Sequence, residues 1–292
     1  ATTLVVALLR IMKFSTLSPC KLNLFLYITN KRADGYHDLQ TLFVILDKGD
    51  MMHFETCDDD KVHLLTDFGF EVEKNLIYKA AMLLKEHCHY TKGIKISIDK
   101  VLPQGGGLGG GSANAATTLL VLNKLWDLNL DEDTLLRLGT TLGADVPIFI
   151  KGTTCFAEGI GEILQEKTVA SKYYLVATPN CKVPTKELFA STDLKKDYPK
   201  RSYEELLNTP FENCFTKVVV KAYPQVQELL NLLSQFGKSY MSGSGSSCFV
   251  AFDTNEEAQN AKLILDKKNI ASFVARSVSL SPTLVDLKQL KK

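Results

Sequence analysis

The sequence predicts an α+β protein built in two parts. Three observations carry that reading. Strand-like segments come first and helix-like segments later in each half of the chain. A glycine-rich loop, Gly105 to Gly111, stands between a strand pattern and an alanine-rich helix pattern. A second loop, Ser242-Gly243-Ser244-Gly245-Ser246-Ser247, stands inside a strand–loop–strand pattern. With 292 residues the chain can bury ample core in one large or two medium domains. We place the boundary between residues 150 and 165, giving parts over 12–157 and 158–292 with 1–11 as an upstream extension.

From Lys21 to Ile28 the residues alternate, with Leu22, Leu24, Leu26 and Ile28 on one face and Lys21, Asn23, Phe25 and Tyr27 on the other. A turn-rich connection follows to Asp38, with Asp34-Gly35 as its strongest turn signal. Residues 39–46 and 51–55 read as further strands. Asn75 can cap a helix running to about His87, whose apolar residues lie mostly on one side. A strand over 94–99, the glycine loop and a helix from Ser112 to about Trp126 come next. Asp131 to Leu142 reads as a helix ended by Gly143. In the second half, strands are expected over 153–157, 173–177 and 271–278. Helices are expected over 202–207, 222–236 and 256–267, and Pro179 and Pro184 bracket a loop.

Six of the seven residues from Gly105 to Gly111 are glycine. Each costs roughly 1 kcal/mol of conformational entropy against alanine, so the backbone itself must touch something. A loop entering a helix N-terminus offers free N–H groups and the positive end of the helix dipole, which suits an anion, usually phosphate. Ser112 is placed as the N-cap. A dinucleotide fingerprint also fits Gly105-x-Gly107-x-x-Gly110, but six glycines produce it almost automatically and no acidic residue follows to hold a ribose. A Walker loop requires a lysine that is absent here. A flexible linker is the bland alternative.

A net charge of +1 argues against an electrostatic nucleic-acid or membrane binder, so an anion site must be local. The seven cysteines are scattered without a CxxC pair and fit free thiols in a reducing compartment. The apolar stretch from Thr2 to Ile11 is too short to span a bilayer and lacks the basic flank and cleavage site of a secretory signal. His87-Cys88-His89 looks like a metal cluster, but residues two apart on a helix do not share a face; a solvated helix end is expected.

Lys21 opens its strand after Pro19, with Asn23 on the same face, and Asp145 sits in the apolar stretch Leu142 to Ile150. A lone carboxylate there is costly unless paired; the alternatives are a helix N-cap for Asp145 and a surface strand end for Lys21. A base beside a fixed cation near a phosphate loop is what phosphoryl transfer to an alcohol needs. Tyr36 and His37 follow a turn and can stack on and hydrogen-bond a ligand ring, or simply decorate a loop. The Ser242–Ser247 loop reads as a second backbone contact to substrate or phosphate, or as a plain turn.

These motifs, in this order, resemble the GHMP kinase superfamily. Pro103-Gln104-Gly105-Gly106-Gly107-Leu108-Gly109-Gly110-Gly111-Ser112-Ala113 is similar to its ATP-binding motif, and Ser242-Gly243-Ser244-Gly245 to its C-terminal glycine motif. The segments from Ser18 to Ile28, Arg32 to Phe43 and Gly143 to Pro147 resemble the branch that phosphorylates a cytidine-diphosphate-linked methylerythritol in the non-mevalonate isoprenoid pathway. The likeness covers Met12 to about Phe252 and is looser after Lys167. Cys20 stands where alanine is usual and Asn30 where glycine is common.

The resemblance implies a two-domain kinase fold with the site in the cleft between the domains. It implies Asp145 as base, Lys21 as the orienting and charge-stabilising group, and Asn23 as a substrate contact. Tyr36 and His37 would recognise cytosine, and Phe189 would stack on the other face of that ring. ATP with Mg²⁺ is the implied phosphoryl donor, with no dedicated protein metal cage. A small-molecule substrate, no nucleic acid or membrane partner, and a monomer or weak homodimer are expected. The expected location is cytoplasmic, or the plastid stroma in a plant. A homoserine-type or mevalonate-type kinase is the alternative, against which Tyr36-His37 speaks. A silent binding protein on this fold would be expected to lose the base or break the loop.

Overall fold

Two long antiparallel strands frame the molecule. In the computed structural model, which describes residues 11–290, β1 is Lys13–Lys31 and β2 is His37–Cys57. They pair along their length, from Lys13 opposite Glu55 to Lys31 opposite His37. The register slips between Pro19 and Lys21, between Asn23 and Leu26, and between Ile28 and Asn30. Each slip bends the ribbon. Pro19 faces Gly49, and a Cβ on Gly49 would collide with the Ser18 carbonyl, so glycine is required where the strands come closest. The slip after Asn23 divides the expected apolar face. Leu22 packs between the two sheets, while Leu26 and Ile28 enter the second core.

The first body continues through β3 (Val62–Leu64), a 3-10 turn at Val72–Lys74, α1 (Leu76–Cys88), β4 (Gly93–Asp99), α2 (Gly110–Leu125), α3 (Glu132–Leu142), α4 (Val146–Lys151), β5 (Cys155–Glu158) and β6 (Ile163–Glu166). The sheet order is β3-β4-β2-β5-β6, with β1 also paired to β2. Phe54 and Ile96 from the sheet meet Leu84, Leu119 and Ile148 from the helices in its core. Asn75 caps α1 by accepting from Ile77 N at 2.9 Å, as expected from the sequence. Ser112 does not cap α2. That helix starts two residues earlier, and Gly109, at φ 74°, takes the N-cap position with no side-chain bond. The left-handed glycine turns the chain into the helix and leaves the N–H groups of its first turn without a side-chain cap.

The second body holds β7 (Tyr173–Ala177), α5 (Thr185–Ala190), α6 (Tyr203–Leu207), α7 (Thr216–Ala222), α8 (Pro224–Leu233), β8 (Ser239–Met241), β9 (Cys248–Phe252), α9 (Asn255–Lys267) and β10 (Ser272–Arg276), and the last helix, α10 (Pro282–Gln289), follows it in the chain. Its sheet runs β10-β7-β9-β8, antiparallel throughout. The helix expected over 222–236 is interrupted: α7 ends before Tyr223, and Pro224 opens α8 at the first helical position, where its missing N–H costs nothing. Cys20, Leu22, Val44 and Leu46 of β1 and β2 pack on Tyr174, Val176, Phe249 and Ala275, joining the two sheets.

The chain crosses between the bodies more than once. β6 pairs with β5 in the first sheet. α10 returns to the first body, where Thr283 Oγ1 donates to Leu17 O at 2.8 Å and Thr16 Oγ1 donates to Asp286 Oδ2 at 2.6 Å. The extension assigned to 1–11 lies, but for Ile11, outside the described residues. Among those residues no helix is long and apolar enough to cross a membrane.

Candidate active site

The glycine loop is held from below and clasped from one side. Asp50, fully buried at the middle of β2, accepts from Val101 N at 2.8 Å, Leu102 N at 2.9 Å and Asn114 Nδ2 at 3.2 Å. It also pairs with Lys100 Nζ at 2.6 Å. One carboxylate thus ties β2, the chain entering the loop, and α2. The second glycine loop braces the first. Ser242 Oγ donates to Gly107 O at 3.0 Å, and Ser247 N donates to Gly106 O at 3.1 Å. Asn213 Nδ2 holds this brace by donating to Met241 O and Gly243 O, both at 2.8 Å.

Gly105, Gly107 and Gly109 have φ of 72°, 75° and 74°. A Cβ on Gly107 would collide with the Ser242 carbonyl, whereas one on Gly105 would meet nothing within 4 Å. Gly105 therefore faces open space, in a cavity of about 340 Å³. Residues 103–112 line it together with Phe68, Phe70, Asn75, Lys100 and Asn114. The helix N-terminus and the Lys100 ammonium make this cavity attractive to a polyphosphate.

Lys21 lies beside the loop and is only 2% exposed. Its ammonium has three acceptors for its three donors: Asn23 Oδ1 at 2.5 Å, Gly107 O at 3.1 Å and Asp145 Oδ2 at 3.3 Å. Asn23 is itself fixed, donating from Nδ2 to Thr41 Oγ1 at 2.9 Å and from its backbone to Ser242 Oγ at 3.2 Å. Asp145 occupies the N-cap position of α4, but its side chain caps nothing and turns to Lys21 instead. The carboxylate keeps more than a third of its surface exposed, so it is anchored on one side and open on the other.

The remaining expected residues stand at the other end of the β1–β2 ribbon. His37 opens β2 and stacks on Phe189 of α5, with ring centroids 4.9 Å apart and planes 27° from parallel. Phe189 is buttressed edge-on by Phe215. Two rings in contact leave no room for a base between them; a base on Phe189 must use another surface. His37 Nε2 is buried without a partner, and burial, reinforced by Lys196 and Lys31, lowers the imidazole pKa below 6.5. Tyr36 is exposed at the tip. Leu39 N donates to Gly159 O at 2.8 Å, joining the start of β2 to the turn that follows β5. Thr185 Oγ1 and Ser244 Oγ, 2.7 Å apart, link α5 to the bracing loop.

Sequence reasoning missed Asp50, Lys100, Asn213 and the aromatic wall of Phe68 and Phe70. Asp50 carries no local signal, since its partners are 50 to 64 residues away. Asp67-Phe68-Gly69-Phe70 carried a signal that could have been read: two aromatics flanking a turn glycine in an otherwise polar stretch.

The family of the chain follows from its likeness to known proteins. The model of the GHMP kinases N terminal domain matches residues 75–153, and that of the GHMP kinases C terminal matches 194–271. A 4-diphosphocytidyl-2-C-methyl-D-erythritol kinase of Tolumonas auensis is 45% identical over 274 residues, covering 94% of this chain and 96% of that protein. One of Hahella chejuensis is 45% identical over 285 residues, covering 93% and 96%. A crystal structure of 4-(cytidine 5'-diphospho)-2C-methyl-D-erythritol kinase superposes with a TM-score of 0.80 at 30% identity, covering 90% of this chain and 98% of that one. Two clasped glycine loops, a buried lysine on an aspartate, and near-full-length likeness to these enzymes lead to one conclusion: this chain belongs to the GHMP kinases and, within them, to the 4-diphosphocytidyl-2-C-methyl-D-erythritol kinase family.

Proposed function

We propose that this chain moves the γ-phosphoryl group of ATP to the 2-hydroxyl of 4-diphosphocytidyl-2-C-methyl-D-erythritol, in the non-mevalonate isoprenoid pathway. The observation that carries the reading is the Lys21–Asp145 pair at 3.3 Å beside the clasped glycine loop. Asp145 takes the hydroxyl proton as the oxygen attacks the γ-phosphorus and the bond to ADP breaks. Lys21, locked by three acceptors, orients the reacting groups and offsets the growing negative charge. The loop from Pro103 to Ala113 holds the nucleotide phosphates on its amides. Mg²⁺ would accompany the nucleotide, bound largely through the phosphates whose charge it neutralises.

Tyr36 and Phe189 offer aromatic faces to the cytosine, and Asn23 contacts the acceptor. His37 packs on Phe189 and has a buried ring nitrogen in need of a partner, which the polar edge of the base can supply. The free thiols and the bacterial sources of the relatives favour a cytoplasmic site of action, or the plastid stroma in a plant; a monomer or weak homodimer is the proposed state. A coupled ADP-release assay with the cytidyl substrate, homoserine and mevalonate tests the proposal. Turnover confined to the cytidyl substrate is expected; equal or better turnover with either of the others would overturn it.

A further inference from the structure

At the end of β2, away from the nucleotide cavity, Cys57 Sγ, a carboxylate oxygen of Asp59 and a ring nitrogen of His63 lie within 4.8 Å of one another. We propose that these three side chains bind a divalent transition metal ion, with Zn²⁺ the best match. Thiolate, imidazole and carboxylate are each zinc ligands, and three of them plus a water complete a tetrahedron. Ligand atoms about 2.0–2.3 Å from such an ion are roughly 3.3–3.8 Å from each other. Cys57 Sγ is already 3.3 Å from Asp59 Oδ1, and His63 Nε2 is 2.7 Å from Asp59 Oδ2. Small side-chain rotations suffice to open the group around an ion. A sulfur ligand favours zinc-like ions over Mg²⁺ or Ca²⁺.

The ligands stand on a built framework. Lys61 N donates to Asp59 Oδ1 at 3.0 Å, fixing the turn, and Ile94 N donates to Lys61 O at 3.0 Å, fixing the turn to β4. Gly93 is required there, because a Cβ would collide with Asp59 Oδ1. Binding displaces the Cys57 thiol proton to solvent, leaving sulfur as the anionic ligand. Asp58 and Asp60 offset the charges of Lys85 and Lys95, which face the group from α1 and β4. The ion would pin β3, the edge strand, to the end of β2. The chain leaving β3 carries Phe68 and Phe70 to the wall of the nucleotide cavity, so the expected effect is on stability and does not depend on which alcohol is phosphorylated.

The test is titration of the full-length chain with Co²⁺ alone, then with Zn²⁺ as competitor. We expect one equivalent of Co²⁺ to bind with micromolar affinity or better and to give a thiolate-to-cobalt charge-transfer band that Zn²⁺ removes. Cys57→Ser should abolish the band. His63→Ala should weaken binding at least about tenfold, the lower end for loss of even a supporting group. Cys88→Ser should change neither. Zn²⁺ should raise the Tm of the wild type but not of Cys57→Ser. In the unaltered protein, Zn²⁺ should protect Cys57 from alkylation, read by peptide mass. No thiolate band, a band that survives Cys57→Ser, or equal alkylation of Cys57 with and without Zn²⁺ would each overturn the proposal.

Discussion

Asp145 and Lys21 divide one task. The ammonium is spent on three fixed acceptors and cannot wander, while the carboxylate keeps a free side. Replacing Asp145 by Asn preserves size and removes the base. We expect turnover to fall about 10²–10⁴-fold. ATP affinity by calorimetry should stay near normal, since Asp145 does not line the nucleotide cavity. Near-normal turnover would sink the base assignment. His37 should act on recognition alone. His37→Ala should raise the KM for the cytidyl substrate more than that for ATP and blunt the preference for cytidine over uridine, because a site built to bond a polar edge rejects what leaves its groups unpaired. The pH dependence has a definite sign. Burial lowers the folded pKa of His37 below 6.5, so the unfolded chain takes up its proton first as pH falls. The contribution is fully present above 6.5 and is lost as pH drops through the lower folded value. The stability of the wild type should therefore fall over that window, and His37→Ala should lose that part of the fall, as melts across pH will show.

At the scale of elements, the two glycine loops were legible because glycine is costly and its presence needs a backbone reason. What was not legible was their contact with each other. Gly107 and Ser242 are 135 residues apart, and neither neighbourhood shows the clasp. The long β1–β2 ribbon was read in pieces because Pro19 and Gly49, both strand-breaking by propensity, face each other within it. Short α4, α5 and α10 lack enough turns for periodicity to speak. The clasp predicts a difference between two glycines of equal backbone strain. Gly107→Ala must push against the Ser242 carbonyl and should lower both Tm and activity. Gly105→Ala enters open space and should cost only about 1 kcal/mol of backbone strain while raising the KM for ATP. Thermal melts with ATP titrations of both variants check this. Equal Tm losses would mean that the loops do not brace one another.

At the scale of the whole molecule, the last helix decides how the two bodies are held. The chain leaves the second sheet at Arg276, and Val278 N donates to Ile45 O at 3.0 Å in the first. Ser281 N then donates to Gly152 O at 2.7 Å, the glycine that ends α4, the helix opened by Asp145. Ser281 caps α10, and Leu284 and Leu287 pack on the first core. None of these long-range bonds is visible in the local sequence, yet they make residues 277–290 a strap across both bodies. Ending the chain after Leu280 removes the Ser281, Thr283 and Asp286 hydrogen bonds together with the partly buried Leu284, Leu287 and Leu290, and uncovers the core beneath them. Taking partial burial of each at about 1 kcal/mol, with a similar amount for each lost hydrogen bond, the loss is roughly 3–6 kcal/mol. That corresponds to a fall in Tm of roughly 5–10 °C for a chain of this size. Because the strap grips the end of α4, turnover should drop in the surviving folded protein while the KM for ATP moves less. Calorimetric melts and steady-state kinetics on the shortened chain measure both effects. An unchanged Tm would show that the two bodies are held by the apolar contact between their sheets alone.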